Sequence, residues 1–197
     1  MEPSLVLKNW PEGQYRGKME VLMDETTKAY IAGFLDADGS IFLQLVRRHD
    51  YVFGYQIRAS IAFYQQEEGS HILHWLKDQF GIGYIRSRRG IGKSLMYDYT
   101  IVGWQHVRKI LLLLQPYVRL KAAHIKLALR ILELPEQGLS PQAFVDRCVL
   151  VDQFQTLNYS KKRSIFAHHV RAFLGTKLLI PVTTEGNLPE IVRRPFE

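Results

Sequence analysis

The sequence predicts an α+β fold in which a four-stranded antiparallel sheet packs against helices. Three observations predict it: two pairs of segments that alternate polar and apolar residues, helix-period segments before and between them, and a predominantly helical second half. With 197 residues, 47% of them hydrophobic, the chain can bury one sizeable core. We therefore expect a single αββαββα domain followed by C-terminal helices.

The first helix lies in "AYIAGFLDADGSI", residues 29–41. Its body is predicted over residues 28–36, and Gly39 ends it. Its N-cap is one of three residues with suitable side-chain oxygens: Asp24, Thr26 or Thr27.

Alternation with period two predicts the hairpins. "SIFLQLVRR" and "YQIRASIAFY" form the first, with a loop near residues 49–50, and "GYIRSRR" and "MYDYTIV" form the second. Between them, "GSHILHWLKDQFG" is predicted as a helix that ends at Gly81. Four later segments have helical patterns: "WQHVRKILLLLQ", "KAAHIKLALRILEL", "SPQAFVDRCVLVDQFQTLN" and "SIFAHHVRAFL". The third begins with Ser140 as N-cap and Pro141 at the first helical position.

The charge of the chain favours an anionic partner. Lys and Arg number 26 against 19 Asp and Glu, which gives a net charge of +7. No segment has the roughly 18 apolar residues that span a bilayer, and the N-terminus resembles neither a signal nor a transit peptide. The charge leaves three alternatives open: nucleic acid as partner, a membrane surface as partner, or a merely soluble basic protein. We expect no membrane-spanning segment and a protein that is not secreted. Cys148, the single cysteine, excludes an internal disulfide and favours a reducing compartment.

Two aspartates lie where the first helix ends. An anion is disfavoured at the negative end of the helix dipole, so Asp36 and Asp38 need a compensating contact. A divalent cation would supply it, because Mg²⁺ and Ca²⁺ prefer carboxylate and carbonyl oxygens. The alternative is that Asp36 is hydrated and that Asp38 forms a turn with Gly39. A calcium-binding loop is disfavoured because the later ligands are missing at the required spacing.

Small residues form a stripe along the same helix. Ala29, Gly33 and Ala37 recur every four residues, a spacing that allows another backbone to approach closely. The alternative is that the stripe packs beneath the chain's own sheet.

Polar side chains recur with period two along the predicted strands. Arg suits guanine and Gln suits adenine in the major groove, so this face is a candidate for base recognition; the alternative is an ordinary solvated face. Its members are Gln44, Arg48, Gln56, Arg58, Arg86 and Arg88, with Tyr51, Tyr97 and Tyr99 interleaved. Cationic segments 115–121 and 158–164 suit phosphate oxygens or water. The seven histidines have no convincing metal-ligand spacing.

These motifs resemble a known family. "YIAGFLDADGS" is similar to the signature of the LAGLIDADG homing endonucleases, and residues 31–39 match all nine positions up to conservative exchange. "YVFGYQ", "FGIGYIRSR", "LQPYVRLK" and "VDQFQTLNYSKKR" resemble its single-motif, homodimeric branch from algal chloroplast introns. The resemblance covers residues 26–174, which leaves 1–25 and 175–197 as extensions.

The resemblance implies an activity. It implies intron homing by a homodimer that cuts a long pseudo-palindromic double-stranded DNA site across the minor groove and leaves short 3′ overhangs. Mg²⁺ would be the cofactor, Mn²⁺ a substitute, and Ca²⁺ a support for binding without cleavage; no small-molecule substrate is implied. The gene would belong to a chloroplast, a mitochondrion or a microbe whose cytoplasm holds the protein. The alternative is a non-cleaving nucleic-acid-binding protein such as an intron RNA maturase.

The resemblance also implies roles for individual residues. Asp38 would be the acidic metal ligand, with the Ala37 carbonyl as a further ligand, and Lys121 would stand beside the scissile phosphate. A solvent-positioning glutamine falls on Gln65, with Gln66 as its rival. A further basic residue of the family falls on Gly69, so His71 or another cation replaces it or the role is absent. Ala29, Gly33 and Ala37 would form the dimer interface, and DNA contacts would come from the six polar strand residues together with Asp98, Thr100, Ser160, Lys161, Lys162 and Arg163.

Overall fold

The computed structural model of the chain describes residues 23–89, 95–133, 138–157 and 164–178. It confirms the α+β class and the αββαββα order. The core elements are α1 (Glu25–Asp38), β1 (Gly39–Arg47), β2 (Tyr55–Gln66), α2 (His71–Phe80), β3 (Tyr84–Arg89), β4 (Leu95–Val102) and α3 (Trp104–Leu114). The later helices are α4 (Ala122–Glu133), α5 (Pro141–Leu157) and α6 (Ala167–Leu178), and a short 3₁₀ turn, Glu67–Gly69, joins β2 to α2.

The four strands form one antiparallel sheet in the order β1-β2-β4-β3. Alternate residues of β1 and β2 are buried beneath the helices, among them Ile41, Leu43, Ile57 and Ile61. Their neighbours along each strand point away from the helices, since successive side chains of a strand alternate between its faces. The alternation read from the sequence therefore predicts which face of the sheet is left open.

The caps of α1 decide its length. Asp24 is the N-cap, and its Oδ1 accepts a hydrogen bond of 2.8 Å from the Thr27 backbone N–H. The helix therefore begins at Glu25, earlier than the predicted residue 28, and continues to Asp38. Gly39 ends it with an ordinary φ of −100°, so left-handed backbone is not the reason for glycine there. A Cβ at Gly39 would lie 2.6 Å from Leu35 Cδ1, which makes close approach the reason.

Two other predicted caps are present in the structure. Gly81 ends α2 with φ at +67°, a left-handed conformation that glycine adopts at little cost. The Ser140 hydroxyl accepts a hydrogen bond of 3.2 Å from the Ala143 N–H at the start of α5. Local sequence signals thus set these boundaries.

The described residues include a few on either side of the predicted range of 26–174. Met23 is part of the buried core, and α6 continues to Leu178. Residues 158–163 lie outside the described residues, and so do the DNA contacts predicted for Ser160, Lys161, Lys162 and Arg163. Across the described part of the chain, every helix is too short or too polar to span a bilayer.

Candidate active site

The tip of α1 carries an exposed carboxylate that is in contact with β2. Asp38 ends the helix, β1 begins at the next residue, and Gly39 pairs with Phe63 of β2. This register brings Gln65 to the helix tip, where its Nε2 donates a hydrogen bond of 3.2 Å to Asp38 Oδ2. Gln66 points to the opposite side of the strand. The geometry therefore selects Gln65 from the two predicted glutamines.

Asp36 contacts a different part of the chain. Its Oδ2 accepts hydrogen bonds from the backbone N–H groups of Arg119 (2.6 Å) and Leu120 (3.0 Å). Its Oδ1 accepts one from the Lys121 N–H at 2.8 Å, and Lys121 Nζ donates to the Asp36 carbonyl. The expected alternative of a hydrated Asp36 is wrong, because three amides solvate the carboxylate. Since the Lys121 carbonyl accepts the first helical bond of α4, from Ile125, the carboxylate also lies at the positive end of that helix.

The charges at this site influence one another. Partial burial raises the pKa of Asp36, but the hydrogen bonds from Arg119, Lys121 and Leu120 outweigh it, so this pKa lies below the ordinary value. Burial lowers the pKa of Lys121, and the neighbouring Asp36 and Asp38 carboxylates oppose that effect. The ammonium of Lys121 thus stands within electrostatic reach of both acids.

The donor set at the α1 tip fits a hard divalent cation. Asp38 is exposed, and its contact with Gln65 uses one carboxylate oxygen, which leaves the other for a ligand. The Ala37 carbonyl is among the last four of the helix, which have no intrahelical donor. Within the described residues there is no cluster of three or more His, Cys, Asp or Glu. One chain therefore supplies only part of the six or more oxygen ligands that such ions take.

The space around Gly69 is occupied by the Gln65 amide. A Cβ at Gly69 would lie 2.7 Å from Gln65 Oε1, so the absence of a side chain leaves room for the contact with Asp38. His71 lines a shallow groove with Tyr30, near the start of α1. Tyr30 precedes Asp38 by eight residues, about 12 Å along the helix. This placement disfavours His71 as the replacement for the missing basic residue.

All six predicted polar strand residues lie on the open face of the sheet. They line a groove of about 1040 Å³, together with Tyr64, Tyr84, Asp98 and Thr100. Tyr97 and Tyr99, which the sequence analysis placed on this face, point towards the helices, and Tyr99 is fully buried. Their positions have the opposite parity to Asp98 and Thr100. Tyr64 and Tyr84, which line the groove, stand at even-numbered positions like the groove arginines. The sequence already contained this signal.

Acidic partners hold two of the groove arginines. Arg86 donates to Asp98 Oδ2 through Nε (3.3 Å) and Nη2 (3.1 Å), and Thr100 Oγ1 donates to the same oxygen at 3.0 Å. At the far end of the groove, Arg48 donates to Asp50 through Nε (2.9 Å) and Nη2 (2.7 Å). Hydrogen bonding to Arg48 lowers the pKa of Asp50 to about 2. Sequence reasoning did not single out Asp50.

Aromatic rings also contact these cations. The guanidinium carbon of Arg86 lies 5.0 Å from the Tyr84 ring centre, and that of Arg88 lies 5.6 Å from the Tyr64 ring centre. Such contacts restrict long side chains that would otherwise be mobile in water. The groove therefore presents cations in defined positions.

Comparison with known proteins decides the family. Residues 31–128 match the model of the LAGLIDADG endonuclease family. The DNA endonuclease I-CreI of Chlamydomonas reinhardtii is 36% identical over 148 residues, which is 75% of this chain and 88% of the relative. The DNA endonuclease I-CvuI of Chlorella vulgaris is 34% identical over 151 residues, 77% of this chain and 91% of the relative. The chain belongs to the LAGLIDADG endonuclease family. The family resemblance of the sequence is confirmed.

Solved structures of LAGLIDADG endonucleases share the fold. The crystal structure of I-CvuI in complex with its target in the presence of calcium superposes with a TM-score of 0.70 at 34% identity, and covers 77% of this chain and 94% of that one. A second I-CvuI structure, with the I-CreI target and magnesium, contains DNA that is not cleaved. The archaeal intron-encoded homing endonuclease I-Vdi141I, at 18% identity and a TM-score of 0.67, supports the fold alone.

The small-residue stripe of the family's signature helix faces outward. Its three members, Ala29, Gly33 and Ala37, are all exposed. A Cβ placed at Gly33 would meet nothing within 4 Å. The buried side of α1 carries Ile31, Ala32 and Leu35 instead. The stripe therefore does not pack beneath the chain's own sheet, and its face is available to a second copy.

Proposed function

We propose that this LAGLIDADG protein is a site-specific, homodimeric double-strand DNA endonuclease that hydrolyses phosphodiester bonds with Mg²⁺. The observation that carries the proposal is the exposed Asp38 carboxylate, hydrogen-bonded to Gln65 near the end of β2, a strand whose open face contributes to a groove lined with cations. A protein that only bound nucleic acid would gain nothing from a carboxylate facing phosphates, so this observation favours cleavage over a maturase role. The relative I-CvuI forms complexes with DNA in the presence of Mg²⁺ or Ca²⁺.

The proposed substrate contact is the groove face of the sheet. Its Arg and Gln side chains match the hydrogen-bonding edges of guanine and adenine, and its acidic partners and aromatic rings hold those side chains in place. A net charge of +7 attracts the phosphate backbone to the same protein. Each groove would read one half of a long pseudo-palindromic site.

A homodimer is proposed because one chain holds only half of a site. Cutting both strands requires two sets of catalytic residues, and each tip of α1 would contribute one carboxylate to a metal site, since the described residues of one chain hold no cluster of three or more His, Cys, Asp or Glu. A two-fold dimer through the outward-facing stripe of α1 would bring the two tips together and close on itself. This arrangement would place the cuts across the minor groove between the half-sites, leaving short 3′ overhangs.

Asp38 and the Ala37 carbonyl would hold the metal ion. When bound, Mg²⁺ would polarise the scissile phosphate and stabilise the leaving oxygen. Gln65 would orient the attacking water through its amide, which is not basic enough to remove a proton. The Lys121 ammonium would neutralise negative charge on the phosphate in the transition state. An organellar or microbial gene is consistent with the two algal relatives.

Incubation with a plasmid library of random inserts tests the proposal. With Mg²⁺ the protein should linearise a small set of plasmids, and sequenced ends should share one pseudo-palindromic site with 3′ overhangs. The control is Asp38→Asn, which should bind that site in Ca²⁺ and cleave nothing. Mn²⁺ should restore cleavage to the wild type when Mg²⁺ is withheld. Near wild-type cleavage by Asp38→Asn would refute the metal assignment, and RNA binding without any DNA cleavage would favour the maturase alternative.

A further inference from the structure

We propose that Asp36 is a positioning residue that sets the location of the Lys121 ammonium at the scissile phosphate. The inference rests on the proposed nuclease function and adds a residue to it. Both oxygens of the Asp36 carboxylate are occupied by consecutive backbone amides of residues 119–121, more than 80 residues away along the chain. The Lys121 ammonium returns to the Asp36 carbonyl, so the same residue holds both the backbone and the side chain of the lysine.

The segment that leads into α4 buries few side chains. Val118 is buried, and the next buried residue is Ile125; residues 119–124 are exposed or half-buried. Leu120 is 78% exposed despite being apolar, and the contacts of His124 with Leu157 and Phe154 begin only three residues after Lys121. The hydrogen bonds to Asp36 therefore determine where Lys121 leaves the backbone.

Lysine depends on such support more than most catalytic side chains. Its ammonium is a point charge on a flexible four-carbon chain, and its position is defined only by its contacts. A displacement of about 1 Å in an active site can reduce the rate about 100-fold. Because Asp36 is itself in α1, two residues before Asp38, it also keeps the lysine in a fixed relation to the metal-binding tip. Loss of Asp36 should therefore act on the chemical step and leave the groove face of the sheet unaltered.

Asp36→Asn tests this inference with two measurements. The amide nitrogen of asparagine cannot accept the hydrogen bonds that one carboxylate oxygen accepts, so amide hydrogen exchange at residues 119–121 should accelerate while exchange in β1 and β2 stays the same. With the target identified by the library, single-turnover cleavage should fall about 100-fold, while DNA affinity in Ca²⁺ should be unchanged. Ser140→Ala, which removes the N-cap of α5, is the control for a general loss of stability and should cleave normally.

Lys121→Met completes a double-mutant cycle. If Asp36 acts through the lysine, adding Asp36→Asn to Lys121→Met should produce no further loss of cleavage rate. Independent, multiplying losses would overturn the inference, and so would unchanged exchange at residues 119–121. Failure of the proposed function has a different signature: the wild type would linearise no plasmid. Failure of this inference would be seen with an active wild type, or in the exchange measurement alone, which requires no DNA.

Discussion

Replacing Asp98 by asparagine should relax base preference without unfolding the protein. Asp98 is buried in the floor of the groove, and one of its oxygens accepts hydrogen bonds from both Nε and Nη2 of Arg86. The hydrogen bonds from Arg86 to Asp98, and then the negative charge of Asp98, raise the pKa of Arg86 and hold its guanidinium against the sheet. A neutral amide holds that cation less firmly, so Arg86 would sample several orientations.

The expected loss of discrimination follows from the contact that Arg86 makes. A well-placed Arg–guanine pair contributes about 1–3 kcal/mol of preference, or about 5- to 150-fold between competing bases. The free energy of unfolding should change by less than about 1 kcal/mol, because the Arg86 side chain is 61% exposed and its ion pair is screened by water. Total affinity should not fall, since a negative charge leaves a surface that faces phosphates. Specificity and stability thus separate.

Competition binding against a library of single base-pair variants in Ca²⁺ measures this effect. Asp98→Asn and Arg86→Ala should relax preference at the same one or two positions of each half-site, and the double variant should match Arg86→Ala. Arg58→Ala provides the control, because loss of that groove cation should affect other positions. Unchanged preference in Asp98→Asn, or a uniform loss of affinity in Arg86→Ala, would refute the assignment of Arg86 to base readout.

Four further predictions concern the dimer, the phosphate contacts, the helix tip and acid stability. Gly33→Leu should separate the subunits, and sedimentation that shows a stable wild-type monomer on DNA would contradict the dimer. Lys161→Ala should reduce the magnitude of the slope of log K against log salt concentration by about 1.8, since each lost phosphate contact removes about 0.9 and a dimer loses two contacts. An unchanged slope would mean that Lys161 faces water. Gly69→Ala should displace Gln65 and lower the cleavage rate while affinity is retained; an unchanged rate would exclude a role for their close approach. The folded pKa of Asp36 lies below its unfolded value near 3.8. The stabilisation that the ionised carboxylate contributes is therefore complete above pH 3.8 and is lost as the pH falls through the folded pKa. In urea titrations, the free energy of unfolding of Asp36→Asn should decrease less at acid pH than that of the wild type.

Most of the fold could be predicted because its signals are local. Alternation assigned the strands and their open face, and caps such as Ser140 and Gly81 set helix ends within a residue or two. The errors have physical causes as well. Tyr99 lies between two groove residues in the sequence, but its odd position along the strand directs its ring into the core. Its hydroxyl donates a hydrogen bond to the Ile82 carbonyl. Met23 precedes the first helix, where no periodicity marks it as part of the core.

The sequence by itself determined the family, the order of elements, the small-residue stripe on α1 and the aspartate at its tip, because each is a pattern of side chains close together in the chain, whereas the outward direction of the stripe came from the structure. Only the tertiary structure decided which glutamine contacts Asp38, which acids hold Arg48 and Arg86, and what Asp36 does. Gln65 and Gln66 are the same residue type at adjacent positions, and the register between β1 and β2 brings only Gln65 into contact with Asp38. The partners of Asp36 are backbone N–H groups, which every residue except proline carries, so the residue types in the sequence do not indicate which of them Asp36 binds. Long-range contacts of this kind are specified by packing as a whole, and for that reason they become visible only in the folded chain.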